Sequence, residues 1–216
     1  MNPPPLITFA VNAEANPTRH QLQQQRINHR MLITGIGPCA ARTSITRALD
    51  QASRPPRVLT CGFAGGLNPT LPLGQLVFDA DPAFPLAQAL MPIGARPASF
   101  LASDRILATA ADKAAARQLS GADVVEMESF VIRQLCRERD IPSATLRVIS
   151  DTAQEDLPLD FSRFLSDSGA FRYDQLLAAL CRAPGRIPAL IRFQRQTRQA
   201  ARPLAAGLGT LLRPRN

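Results

Sequence analysis

Residues 31–63 read MLITGIGPCAARTSITRALDQASRPPRVLTCGF. The apolar run MLITGI (31–36) gives way to PCAARTSITRALDQA (38–52), an alanine-rich segment of helical period, and then to a second apolar run, RVLTCGF (57–63). The same kinds of segment recur along the chain. LITFAV (6–11), QLVF (75–78) and ATLRVIS (144–150) read as further buried strands, and SDRILATAADKAAARQL (103–119) and ESFVIRQLCRERD (128–140) as further helices. Strand and helix alternating in this way imply an α/β domain with a mainly parallel or mixed sheet. Residues 79–100 are proline-rich without a clear period and read as an irregular excursion at the sheet margin. A second break falls at 157–171, and a tail follows it.

With 216 residues, 45% of them apolar, the chain suits one substantial core. No stretch approaches the roughly 20 apolar residues that cross a bilayer, and MNPPPLITF places no basic segment ahead of an apolar one. We therefore expect a cytoplasmic protein. Cys39, Cys61, Cys136 and Cys181 show no CxxC spacing, so buried free thiols are expected rather than a zinc site or a disulfide framework. The net charge of +8 is concentrated at one end. From Gln175 onward there are eight arginines and no acid, while residues 1–174 balance 17 basic against 17 acidic side chains. The body of the protein has no excess charge to attract polyanions, and one Tyr and no Trp offer no aromatic interleaving, so a nucleic-acid partner is not expected.

Gly35-Ile36-Gly37-Pro38-Cys39-Ala40 fits a dinucleotide phosphate loop, but the following strand ends in Phe63 where such a site wants an acid. His20 and His29 pair with no nucleophile motif. Neither a cofactor nor a metal is expected. The glycines of Cys61-Gly62-Phe63-Ala64-Gly65-Gly66 let backbone approach a ligand closely, or simply make a tight turn. Glu126 and Glu128 lie where an apolar run meets a helix, and Arg147-Val148-Ile149-Ser150-Asp151 is an apolar strand ending in Ser-Asp. Functional side chains of α/β sheets gather at such strand ends.

Together Gly35-Ile36-Gly37, Gly62-Phe63-Ala64-Gly65-Gly66-Leu67 with Leu73-Gly74, Val125-Glu126-Met127-Glu128 and Arg147-Val148-Ile149-Ser150-Asp151 resemble the nucleoside phosphorylase and nucleosidase superfamily, nearest its methylthioadenosine/S-adenosylhomocysteine nucleosidase-like branch. The resemblance covers roughly residues 6–172. It implies a three-layer phosphorylase/hydrolase-like fold with a mixed central sheet flanked by helices, and an enzyme that cleaves a purine nucleoside. It assigns Glu14 to activation of the attacking water and Asp151 to protonation of purine N7. Met127 and Glu128 match the ribose-binding residues, and Gly65, Arg147 and Ser150 are expected to line the same substrate site. Cleaving the bond to adenine leaves a cationic ribosyl centre and an anionic base, so the reaction wants nearby negative charge and a proton donor. A buried Asp151 is expected to arrive protonated and a hydrogen-bonded Glu128 to stay ionised.

Departures from the family pattern shape the reading. Thr60 and Phe63 stand where the phosphorylases carry a phosphate-handling arginine and serine, which favours hydrolysis over phosphorolysis. Ser103-Asp104-Arg105-Ile106-Leu107 replaces an aromatic base-stacking segment, and a short 79–103 leaves the 5′ side less enclosed. The organisation expected is a catalytic domain over 1–172 and a basic helical tail over 173–216. In residues 186–198 apolar and arginine positions segregate on a helix, which suits either a helix docked on the core or one lying on a membrane. Body and tail together resemble a hopanoid-associated phosphorylase-like subgroup, which implies adenosylhopane as substrate and a peripheral position at the inner membrane surface. The expected partners are a small nucleoside and a second copy of the chain in a homodimer. Phosphorolysis and nucleoside binding without catalysis are the alternatives.

Overall fold

The computed structural model describes residues 4–51, 55–164, 172, 175–176 and 182–213. At the centre of its single mixed sheet, β3 (Val58–Gly66) and β8 (Ser143–Asp151) run parallel along their length. Beyond β3, β1 (Leu6–Phe9) and then β2 (Arg30–Ile33) continue the parallel order. Beyond β8, β4 (Leu76–Ala80) is antiparallel and carries β5 (Arg96–Pro97) at its outer side. β7 (Val124–Glu126) folds back antiparallel onto the last residues of β3, with β6 (Phe100–Ala102) parallel to it.

Successive strand residues point to opposite faces, and this alternation builds the layers. Leu6 and Val58 pack with Ala41, Ile45 and Leu49 of α2 (Pro38–Leu49) and with Val131, Ile132 and Leu135 of α5 (Ser129–Arg137). Their neighbours Ile7 and Leu59 turn to the other face. There they join Leu146, Ala15 and Leu22 of α1 (Asn12–Gln24), and Leu204 and Leu208 of the C-terminal helix. The result is the expected mixed sheet flanked by helices.

Several local expectations are corrected. α1 was not anticipated, because it carries Pro17 inside it and only Ala15, Thr18 and Leu22 give it a buried stripe. The margin 79–100 contains α3 (Ala87–Leu90), a following 3-10 turn and β5, with β6 starting at its end. The helix expected over 103–119 is α4 (Ala110–Ser120). Thr109 caps its start by accepting from the Asp112 N–H at 3.0 Å, so the preceding residues stay outside it. Of the four thiols, Cys61 and Cys136 are buried and free, Cys39 is exposed, and Cys181 lies outside the described residues. The residues around the expected boundary at 172/173 are also largely outside them.

The tail resolves into α6 (Ile187–Leu211), and its two halves differ. Ala200, Ala201, Leu204, Leu208 and Leu211 are buried in the core beside α1 and β8. Gly207 lies against other side chains, since a β-carbon there would sit 3.1 Å from Leu76 Cδ1 of β4 and 3.2 Å from Ile93 Cδ1. In the first half Ile187 and Ile191 are exposed, as are Arg192, Arg195 and Arg198. No helix among the described residues is long and apolar enough to cross a membrane.

Candidate active site

A pocket of about 740 Å³ opens where β3, β7 and β8 end, of a size suited to a small-molecule ligand. Glu14, Gly65, Met127, Glu128, Arg147, Ser150 and Asp151, far apart in sequence, all line it.

Arg147 organises one side. It faces Gly62 across the β3–β8 pair, and the absence of a side chain at Gly62 makes room for its guanidinium. A β-carbon at Gly62 would lie 2.5 Å from Arg147 Nη1 and 3.0 Å from Glu14 Oε2, on a backbone already at φ 147°. Arg147 is 2% exposed. Its Nη2 donates to Glu126 Oε2 at 2.8 Å and lies 3.5 Å from Glu128 Oε2. Burial works against the Arg147 charge, yet Glu126, Glu128 and Glu14 more than offset it and raise its pKa. Glu126 Oε2 also accepts from the N–H groups of Glu128 and Ser129 at 2.9 and 2.7 Å, which ties the first turn of α5 to the arginine.

Glu14 projects from the first turn of α1, where Oε1 accepts from the Phe63 N–H at 3.2 Å. Its Oε2 is buried without a hydrogen-bond partner among the described residues. Burial raises the Glu14 pKa, partly opposed by Arg147 and by the Phe63 N–H. Glu128 Oε1 accepts from the Gly37 N–H at 2.8 Å, so the glycine pair that resembled a phosphate loop holds a carboxylate instead. Burial pushes Glu128 up to about 7, Arg147 and the Gly37 N–H pull it down, and Glu126 and Glu14 add to the rise. Burial thus opposes the hydrogen bond that was expected to keep Glu128 ionised.

Asp151 stands at the end of β8. A bulge after Ile149 pairs Asp151 rather than Ser150 with Gly65, and such irregularities re-aim side chains. Ser150 Oγ donates to Asp151 Oδ1 at 2.6 Å, so this hydroxyl orients the acid. Lys113 of α4 places Nζ 2.6 Å from Asp151 Oδ2, with the lysine side chain fully buried. Asp151 was expected to be buried, and it is, with the Lys113 amino group as its close neighbour. Sequence reading missed Lys113, because α4 shows only helical spacing and nothing that points it at β8.

A third wall is apolar. Phe161 and Phe193 stack with ring centroids 5.6 Å apart, and both face the pocket together with Leu157, Ile106 and Leu176. Phe193 belongs to α6, and Gln196 one turn on donates to Ser150 O and Glu155 Oε2, each at 3.1 Å. The tail therefore supplies part of the site. His20 is exposed on α1 against Gln24, and His29 meets the Ile27 carbonyl; neither lines the pocket. No cluster of metal-ligating side chains occurs among the described residues.

Residues 89–183, which carry Glu126, Glu128, Arg147 and Asp151, match the model of the phosphorylase superfamily. These matches support that superfamily. A 5′-methylthioadenosine/S-adenosylhomocysteine nucleosidase of Glaesserella parasuis serovar 5 (strain SH0165) is 29% identical over 170 residues, covering 62% of this chain and 73% of the relative. The fold is shared across almost the whole chain with futalosine hydrolase of Helicobacter pylori strain 26695, at TM-score 0.69 and 16% identity, covering 98% of this chain and 97% of that one. It is shared equally with the 5′-methylthioadenosine/S-adenosylhomocysteine nucleosidase of Neisseria meningitidis in complex with methylthio-immucillin-A, at TM-score 0.68 and 18% identity, covering 98% of both chains.

Proposed function

We propose that this protein is a nucleosidase that hydrolyses the N-glycosidic bond of an adenosine-type nucleoside. The observation that carries the reading is the convergence of Glu14, Glu128 and Asp151 on one pocket, with Glu14 and Glu128 gathered around Arg147 and Asp151 held separately by Ser150 and Lys113. Glu14, with a free buried oxygen and a raised pKa, suits removal of a proton from water. Glu128 suits the ribose hydroxyls and the positive charge that develops at the sugar, and Asp151 the departing base. The nucleosidase relative and the structural neighbours support the same chemistry.

Hydrolysis is favoured over phosphorolysis by charge. Among the described residues the cation facing Glu14 and Glu128 is Arg147, already engaged by Glu126, so a phosphate dianion on that side would meet three carboxylates. Purified protein should release adenine from such a nucleoside without added phosphate. The rate should rise with pH through about 7: below that value Glu128 is protonated and neutral, and above it Glu128 carries the charge the sugar centre needs. Glu128→Gln should remove this inflection. A rate that needs phosphate, or a wild-type rate flat from about pH 5 to 8, would contradict the assignment.

We further propose an apolar 5′ substituent, as in adenosylhopane, delivered from an anionic membrane surface. The Phe161–Phe193 wall and the exposed isoleucines and arginines of α6 support it. Each arginine near such a surface contributes on the order of 1 kcal/mol, screened by salt. Because the second half of α6 is core, deleting the tail would unfold the protein. Replacing Arg192, Arg195 and Arg198 by Gln should instead leave the fold and cleavage of a soluble nucleoside intact, while abolishing salt-sensitive binding to anionic vesicles. Vesicle binding unchanged by these replacements, or absent from the wild type, would contradict the membrane role.

A further inference from the structure

Lys113 is the only lysine in a chain with 24 arginines. It is fully buried, and besides the 2.6 Å contact with Asp151 Oδ2 its ammonium donates to the carbonyls of Thr152 and Glu155, both at 2.8 Å. All three of its donors are therefore directed at β8 and the turn after it. Arg147 is equally buried and also faces carboxylates, yet it is an arginine, as is every other side-chain cation apart from the two histidines. Arginine keeps its proton throughout the accessible pH range, whereas a buried lysine can release one. The one lysine thus stands against the one acid that the nucleosidase reading asks to deliver a proton.

We propose that Lys113 acts through Asp151, as a positioning residue that also supplies the proton taken by the leaving base. This inference rests on the nucleosidase reading. A proton passes from Lys113 Nζ to Asp151 Oδ2, which turns an ammonium and a carboxylate into an amine and a carboxylic acid. As the bond from C1′ to the base breaks, its electron pair stays on the base, and Asp151 gives the proton to N7. Water bonds to C1′ and loses its proton to Glu14. When products leave, Glu14 returns that proton to solvent and Lys113 regains one, so the cycle consumes only water and nucleoside. Ser150, donating to Oδ1, leaves Oδ2 as the oxygen that communicates with the lysine. Gly65 keeps Oδ2 uncrowded, since a β-carbon there would lie 3.2 Å from it.

The test compares Lys113→Met and Lys113→Arg on two substrates: a nucleoside that the wild type cleaves, and 4-nitrophenyl riboside, whose leaving group departs without protonation. Both variants should lose at least about a hundredfold in kcat on the nucleoside and stay within about threefold of wild type on the 4-nitrophenyl riboside. Lys113→Met combined with Asp151→Asn should be no slower on the nucleoside than Asp151→Asn alone, because the two residues act in series. Full nucleoside activity in Lys113→Arg would show that charge alone suffices and would overturn the proposal. Equal losses on both substrates in a folded variant would also overturn it, leaving Lys113 as a structural tie between α4 and β8. If Lys113→Met fails to fold, the charge-preserving Lys113→Arg carries the comparison. A wild type inactive on every nucleoside would instead overturn the nucleosidase reading.

Discussion

Asp151→Asn should slow turnover of an adenosine-type nucleoside at least about a hundredfold, the usual scale for loss of a general acid. The amide keeps the size of the side chain but has no acidic proton to give. The structure adds a second consequence that the isolated sequence did not suggest. Asp151 is the charge partner of the fully buried Lys113, and removing one member of a buried pair costs about 3–5 kcal/mol, because the other is left uncompensated. The carbonyls of Thr152 and Glu155 still accept from the ammonium, which places the loss at the lower end of that range. Thermal denaturation and steady-state kinetics read the two effects independently. Combining Lys113→Met with Asp151→Asn should recover most of the stability and none of the turnover. Near-wild-type turnover in Asp151→Asn would remove Asp151 from the mechanism.

Glu14→Gln should reduce turnover by about a hundredfold to ten-thousandfold, because it removes the base proposed to activate water. Stability should change little or rise, since Gln carries no charge to bury and its carbonyl can still accept from the Phe63 N–H. KM should stay near the wild-type value if Glu14 acts on water rather than on bound substrate. A variant that binds nucleoside normally but turns over slowly fits that role. A large rise in KM with little change in kcat would make Glu14 a substrate-binding residue.

How much of this was legible in the sequence depended on the kind of signal. β1, β3 and β8 were plain because each is a run of apolar residues buried on both faces. α2 and α5 were plain because their apolar positions recur at helical spacing. α1 was not, since Pro17 and a polar, glutamine-rich surface mask a stripe of only three buried residues. Glu14, Glu128 and Asp151 were named through resemblance, and the structure brings them to one pocket. The charges that govern them were less visible. Arg147 was expected to line the site, but its contacts with Glu126 and Glu128 depend on Gly62 leaving space across the sheet. Lys113 approaches Asp151 only through the docking of α4, a relation between residues 38 positions apart that no local pattern records. The tail sequence suits either a docked or an interfacial helix. Its second half is docked, while its first half combines a pocket-lining Phe193 with exposed arginines, so neither alternative alone describes it.

The central claim is that water, brought to C1′ on the Glu14 side of the pocket, replaces the base. The most direct measurement is cleavage of an adenosine-type nucleoside in ¹⁸O-enriched water containing inorganic phosphate, with the sugar product analysed immediately by mass spectrometry. The account predicts free adenine and a free ribose, or its 5′-substituted form, carrying one ¹⁸O at C1, at a rate unaffected by phosphate. Accumulation of unlabelled ribose 1-phosphate, or a nucleoside that binds and is never cleaved, would contradict it.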